Sequence, residues 1–345
     1  MAETDVAHPT PPPEDGVRGA AARGTHWGPI LYDVLFRWRE ASILIVGIGL
    51  ALYFGLRNSN FTSSDNFVTI AQYAAAPAIL ASGEVLLLIC GEIDLSVGNT
   101  FALAPFVVYF LYTDHNVPLL LGLVLALAVG AVVGLVNGVV TVLLKVPSFV
   151  ATLGMAFLLQ GITLTISNAY PQLTPGSGSF TYIFGHADYA EIIWAIGIAI
   201  AGQIMLSFTP WGLHTVATGG NILGSREVGI NVNVIKIGNF IIAGVLASFA
   251  GILEAVRITS TDPSAGGTAI MFTAVVAAVV GGTSLMGGAG TIVGAFVGAM
   301  VLAVLNDGFN LQGISANTYF IVLGAAIIAA MVFNVRLQLL RRGGR

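Results

Sequence analysis

The segment Gly91–Gly98 reads GEIDLSVG and sets two carboxylates, Glu92 and Asp94, within a largely apolar stretch from Phe67 to Leu111. An ionised side chain at membrane depth costs about 3 kcal/mol, so the pair points to a polar cavity, a buried partner or a helix break. Two chemistries suit them. A carboxylate can contact a solute directly, or it can cap a helix, and Asp94 is placed to cap one that starts at Leu95. Ser96, Asn99 and Asn137 join Glu92 and Asp94 as candidate linings of a polar cavity, and Asn306 is a further candidate cavity lining. For Asn137 and Asn306, interhelical hydrogen bonding is the competing role. Glu84 lies two turns before Glu92, on roughly the same helical side, with nothing basic near it in sequence. It is expected to be neutral and bonded to a polar residue of a neighbouring helix. Glu254 and Arg257, three residues apart, are expected to form a surface ion pair.

Nothing in the chain reads as catalytic. No Ser-His-Asp arrangement and no lysine-type phosphate loop is present. Gly281–Gly290, GGTSLMGGAG, is glycine-rich but lacks the lysine. The five histidines show no ligand spacing, and the single cysteine, Cys90, excludes an internal disulfide and a multi-cysteine metal site. No metal, no cofactor and no nucleic-acid partner is expected on this chain.

The elements that hold these residues are membrane helices. Of 345 residues, 56% are hydrophobic and 9% charged, and the mean hydropathy is +0.89, values that a soluble domain of this length rarely shows. Spanning helices need about 20 mostly apolar residues, and about ten such segments can be placed. They are Ala41–Leu56, Phe67–Gly91, Ile93–Tyr112, Val117–Leu144, Ser148–Ser167, Tyr189–Phe208, Ile235–Val256, Thr268–Met286, Gly290–Phe309 and Thr318–Val335. No short alternating segments of a barrel occur, so the predicted fold is an all-α polytopic membrane protein. Glycines such as Gly130, Gly134, Gly138, Gly294 and Gly298 are expected to let helices approach closely.

Charge sets the orientation. With the N-terminus inside, Arg18, Arg23, Arg37, Arg39, Lys145, Arg226, Lys236, Arg336, Arg341, Arg342 and Arg345 fall on the cytoplasmic side, and only Arg57 and Arg257 fall outside. Both termini are therefore predicted cytoplasmic. Residues 1–28, with prolines at 9, 11, 12 and 13, read as a disordered cytoplasmic tail and not as a secretory signal, because the first apolar core begins near Ala41. Residues 29–345 form the transmembrane domain. The outer loop Asn168–Asp188 carries Tyr170, Phe180, Tyr182 and Phe184 and is expected to pack on the outer face or meet an external partner. In the inner loop, 210–236, Asn221 is a natural N-cap, Ile222–Val228 can form two turns, and Gly229 can close them in the left-handed conformation. Such a capped helix is a rigid contact for another subunit.

Five motifs in one order carry a resemblance: GEIDLSVG, GLVNG (Gly134–Gly138), KVPSFVATLGM (Lys145–Met155), GGN…R..GINVNVIK (Gly219–Lys236) and GGTSLMGGAGTIVGAFVGA (Gly281–Ala299). From about Phe67 to Val335 the chain resembles the permease subunits of bacterial ABC importers for monosaccharides of the ribose, xylose and galactose type. The resemblance implies a second copy of the permease, a cytoplasmic ATPase that holds ATP and magnesium, and an extracellular or periplasmic sugar-binding protein, in the inner or plasma membrane. It also implies that Gly219, Gly220, Asn221, Arg226, Gly229 and Ile230 belong to the coupling helix that seats in the ATPase. Ile222, Leu223 and Gly224 replace the acidic and alanine residues usual in its first turn. Glu92 stands where many members have glycine and xylose-type members often have glutamate, which tilts the solute toward a pentose. The alternatives are a branched-chain amino-acid ABC permease, an ATP-independent secondary transporter or channel, and a polytopic membrane enzyme.

Overall fold

The computed structural model describes residues 39–176, 178–315 and 317–325, with residues 328 and 332. The expected tail at 1–28 lies outside them, as does most of the end of the last expected span. The helices are α1 (Arg39–Arg57), α2 (Ser64–Ile89), α3 (Val97–His115), α4 (Leu119–Val142), α5 (Ser148–Ile166), α6 (Ala190–Phe208), α7 (Pro210–Gly220), α8 (Ile222–Glu227), α9 (Val232–Ile258), α10 (Gly267–Val280) and α11 (Ile292–Leu311). Residues 317–325 are also helical. The protein is all-α, and α2, α4, α5, α6, α9 and α11 are long and apolar enough to cross a membrane, with α1 and α10 as shorter apolar helices.

Helix α2 is the centre of the molecule. Its apolar window is 83% buried against 22% for that of α5, so α2 faces protein where α5 leaves its sides to lipid. It packs against α9, α11, α6 and α10, and Ile79, Leu80, Leu86, Leu87 and Ile89 are wholly enclosed. Without a hydrophobic drive between helices in lipid, close backbone approach supplies the packing. The seam between α4 and α9 shows it. A Cβ at Gly130 would lie 2.4 Å from the Gly244 carbonyl oxygen, one at Gly244 would lie 2.2 Å from that of Gly130, and one at Gly134 would lie 2.2 Å from that of Phe240.

Outside the helices, the segment 168–188 packs as the sequence suggests. β1 (Gln172–Leu173) pairs antiparallel with β2 (Ser260–Thr261), Thr174 Oγ1 donates to the Ala255 carbonyl at 2.9 Å, and Phe184 stacks on Trp194, which meets Phe249 edge-on. Tyr170 and Tyr182 stay exposed.

Three expectations are corrected. The segment 210–236 is not a loop with one short helix: Pro210 opens α7 at its first position behind an N-cap, Thr209, whose hydroxyl accepts from Gly212 N–H. The span expected to start at Ile93 starts at Val97, and the one expected to end at Met286 stops at Val280.

If the α4–α9 seam rests on this contact, Gly244→Ala forces the backbones apart and should lower the thermal midpoint in detergent by several degrees or prevent accumulation. Gly154→Ala, with nothing within 4 Å of the added carbon, should leave the midpoint unchanged or raised.

Candidate functional site

The carboxylate motif follows a helix end set among other elements: Leu86–Ile89 are buried, and Gly91, just past the end, is exposed. The last carbonyls of a helix have no intrahelical donors and must be satisfied otherwise. Gly91 adopts φ +74° and its N–H donates to Leu88 O at 3.0 Å, while Glu92 N–H donates to Leu87 O at 2.9 Å, the two bonds of a Schellman cap. Gly288 N–H, from the glycine-rich segment after α10, donates to Ile89 O at 2.8 Å. Leu86 O accepts from Cys90 N–H at 3.4 Å and also from Asn239 Nδ2 of α9 at 3.3 Å.

Residues 92–96 then leave the helical path, turning at 95–96 before α3 begins, and the N–H groups of 93–96 find side chains. Ile93 N–H donates to Ser148 Oγ at 3.4 Å and Leu95 N–H to Thr152 Oγ1 at 3.0 Å. Ser148 and Thr152 lie one turn apart on α5, so one face of that helix serves alternate amides of this segment. Asp94 N–H lies 3.5 Å from Glu84 Oε2. Glu84 is fully enclosed, and it meets the break on its own chain segment and not a neighbouring helix as expected. Its Oε1 has no partner among the described residues.

Asp94 is not the N-cap of a helix starting at Leu95. Its Oδ1 accepts from Ser96 N–H at 2.8 Å and from Ser96 Oγ at 2.6 Å, an Asx turn that precedes α3 by one residue. Asn137 Nδ2 of α4 completes the cluster, donating to Asp94 Oδ2 at 3.1 Å and to Ser96 Oγ at 2.8 Å. Asp94, Ser96 and Asn137 are each at most 1% exposed, so in this conformation they seal the break. Asn99 sits on the first turn of α3, buried. Glu92 points elsewhere: it pairs with Lys236 Nζ at the start of α9 at 2.5 Å, both side chains a little over a tenth exposed.

The short helix follows its sequence. Asn221 Oδ1 accepts from Gly224 N–H at 2.9 Å, and α8 closes with Gly229 at φ +87°. Gly229 N–H donates to Arg226 O and Ile230 N–H to Ser225 O, the same Schellman device as at Gly91. Leu223 and Val228 are 72% and 76% exposed, and Arg226 and Gly220 are exposed too. Gly219 serves a different purpose. A Cβ there would lie 1.6 Å from Ile89 O, so the end of α7 rests on the end of α2. Trp211 Nε1 donates to Asn239 Oδ1 at 2.9 Å, and Asn239 Nδ2 also reaches Thr215 Oγ1 and Cys90 Sγ, which bolts α7, α9 and α2 together.

Sequence reasoning missed Ser148, Thr152 and Asn239 as members of this site; the first two stand in a quoted motif at helical spacing, which was the available signal. It also missed Glu191. Arg257 bonds Glu254 as expected, but it reaches Glu191 of α6 as well, at 3.0 Å. Glu191 is 3% exposed, so the pair is part of a half-buried cluster and not a surface pair.

The structure is a polytopic helical bundle whose central helix ends at a break held by residues of several other elements. The chain belongs to the branched-chain amino acid transport system / permease component family, whose profile matches residues 66–331. It is 36% identical over 306 residues to the xylose/arabinose import permease protein XylH of Sulfolobus acidocaldarius, covering 86% of this chain and 84% of that one. It is 37% identical to the ribose import permease protein RbsC of Escherichia coli K12, covering 87% and 94%, and 35% identical to the probable ABC transporter permease protein YphD of the same organism, covering 86% and 90%. No solved structure matches the chain. The relatives are transport components of the cell membrane, and this chain is a membrane permease of their kind.

Asp94→Ala should orphan Ser96 N–H and the Ser96 hydroxyl hydrogen at about 1–3 kcal/mol each and sharply reduce folded protein. Asp94→Asn keeps an acceptor and should be milder. Thermal midpoints of the two variants in detergent check the ranking.

Proposed function

We propose that the chain is the membrane-spanning permease subunit of an ATP-driven ABC importer that translocates a monosaccharide, a pentose or hexose, handed over by an external binding protein. Two copies form the path. ATP and magnesium reside on a separate cytoplasmic ATPase, and this chain carries neither cofactor nor catalytic group. Ten crossings with both termini in the cytoplasm is the topology the distribution of basic residues favours. The printed names of the xylose/arabinose and ribose import permeases support the solute class, and the family's own description keeps a branched-chain amino acid as the second reading.

One observation carries the mechanism: the end of α7 touches the backbone of the break. Exposed apolar residues Leu223 and Val228 give α8 a face for a partner subunit, and Gly219, three residues before α8 starts, lies against Ile89 O. A displacement of α8 by the ATPase is therefore delivered to the end of α2 with no flexible segment between. Lys236, at the base of α9, pulls on Glu92 by its ion pair. Either movement strains the Asp94–Ser96–Asn137 seal, whose opening would present carboxylate, hydroxyl and amide groups to a polyhydroxyl solute. Glu92, Asp94, Ser96, Asn99 and Asn137 are the pathway residues on this reading, and Gly219, Gly220, Asn221, Arg226, Gly229 and Ile230 carry the coupling.

Gly219→Ala should keep ATPase association yet abolish ATP-driven uptake in reconstituted vesicles; normal uptake would sink the coupling route. Topology is tested in a Cys90→Ala background, with Tyr170→Cys and Leu223→Cys, both about 70% exposed. An impermeant maleimide on intact cells should label position 170 and spare 223, and the reverse pattern would overturn the orientation.

A further inference from the structure

A second polar feature lies away from the break. A cavity of about 180 Å³ opens between α2, α10, α11 and the helical residues 317–325. Its wall carries Tyr73 and Pro77 from α2, Thr273 from α10, Asn306 from α11, and Tyr319 and Phe320. Pro77 lies inside α2 and has no N–H, so the Tyr73 carbonyl loses its helical donor at the cavity wall. Asn306 Oδ1 accepts from Asn310, which leaves the Asn306 amide hydrogens directed to no partner among the described residues. The cavity lies toward the end of the bundle where α2 begins: Asp307, next to Asn306, accepts from Asn66 in the first turn of α2 at 2.8 Å, whereas the Glu92–Ser96 break follows the other end of that helix.

Polar groups from three helices, those of Tyr73, Thr273 and Asn306, interrupt an otherwise largely apolar wall, and acyl chains offer them no hydrogen bonds. The space exceeds the share of one water, about 30 Å³, and falls short of the roughly 300 Å³ of sites for drug-sized ligands. It suits one small ring. A sugar presents hydroxyls at its rim, which Thr273, Asn306 and the Tyr73 carbonyl can bond, and an apolar C–H face, which the rings of Tyr319 and Phe320 can cover. We propose that this cavity is a solute subsite for a single pentose or hexose at a level of the membrane distinct from the Glu92–Ser96 break. The assignment rests on the importer reading above.

The test uses the complete transporter, with its ATPase and binding protein, in vesicles loaded with ATP and supplied with labelled D-ribose, D-xylose and a panel of other pentoses and hexoses. Asn306→Leu and Thr273→Val should each change the ratio of uptake rates between sugars at least threefold, a readout that a purely structural role does not move. A Thr273→Cys variant in the Cys90→Ala background supplies a second measurement should either substitution impair assembly: transported sugar should slow its reaction with a permeant maleimide at least twofold. Unchanged ratios in variants that assemble, or labelling indifferent to sugar, would overturn the cavity assignment alone and mark a groove filled by lipid. A wild-type complex that carries none of the sugars would overturn the importer reading and this subsite with it.

Discussion

Everything near the candidate site follows from one constraint: helix α2 ends among other elements, with Leu86–Ile89 buried and only the turn at Gly91 exposed. A buried carbonyl or N–H left unpaired costs several kcal/mol, and the structure satisfies them one by one. Leu87 and Leu88 are served by the local turn at Gly91, Leu86 by Cys90 N–H and a side chain of α9, and Ile89 by the backbone of the segment after α10. The N–H groups of 93–96 are served by α5, by Glu84 and by Asp94 itself. A break of this kind cannot exist as an isolated motif. It requires α4, α5, α7, α9 and the glycine-rich segment in place at once.

That requirement explains why the sequence motifs that carry the family resemblance are dispersed along the chain and yet serve one place. GEIDLSVG forms the break, GLVNG brings Asn137 to Asp94, and KVPSFVATLGM brings Ser148 and Thr152 to the amides of Ile93 and Leu95. GGN…GINVNVIK brings Gly219 to Ile89 and Lys236 to Glu92, and GGTSLMGGAG brings the Gly288 amide. The glycine-rich segment, which resembles a phosphate loop in composition, is a backbone donor to a helix end. Glycine is needed there for proximity: the backbones of Gly219, Gly287 and Ile89 meet at distances that leave no room for a Cβ.

The two polar layers differ in character. The break is closed by short hydrogen bonds among fully buried groups, which support one another in a low-dielectric setting. At the opposite end of α9, Glu191, Arg257 and Glu254 tie α6 to α9, and the β1–β2 pair ties two connecting segments together.

Sequence alone determined what composition and local spacing can determine. The all-α membrane character follows from hydropathy, and the capped helix after Asn221 follows from an N-cap and a positive-φ glycine at fixed offsets. The small-residue seams follow from glycine spacing, and the family follows from five ordered motifs. The partners of the buried polar groups were settled only by the tertiary structure. Glu84 meeting the Asp94 amide, Glu92 meeting Lys236, Asn239 meeting Leu86 and Arg257 meeting Glu191 are contacts between residues on different turns or helices, and no periodicity encodes them. Asp94 shows the division within one residue: its sequence neighbours announce a helix start, but whether its carboxylate caps that helix or closes an Asx turn against Asn137 depends on where α4 packs. The physical reason is that in an apolar medium the local chain can supply only some of the hydrogen bonds at a helix end, and the rest must come from whichever helix the fold brings alongside.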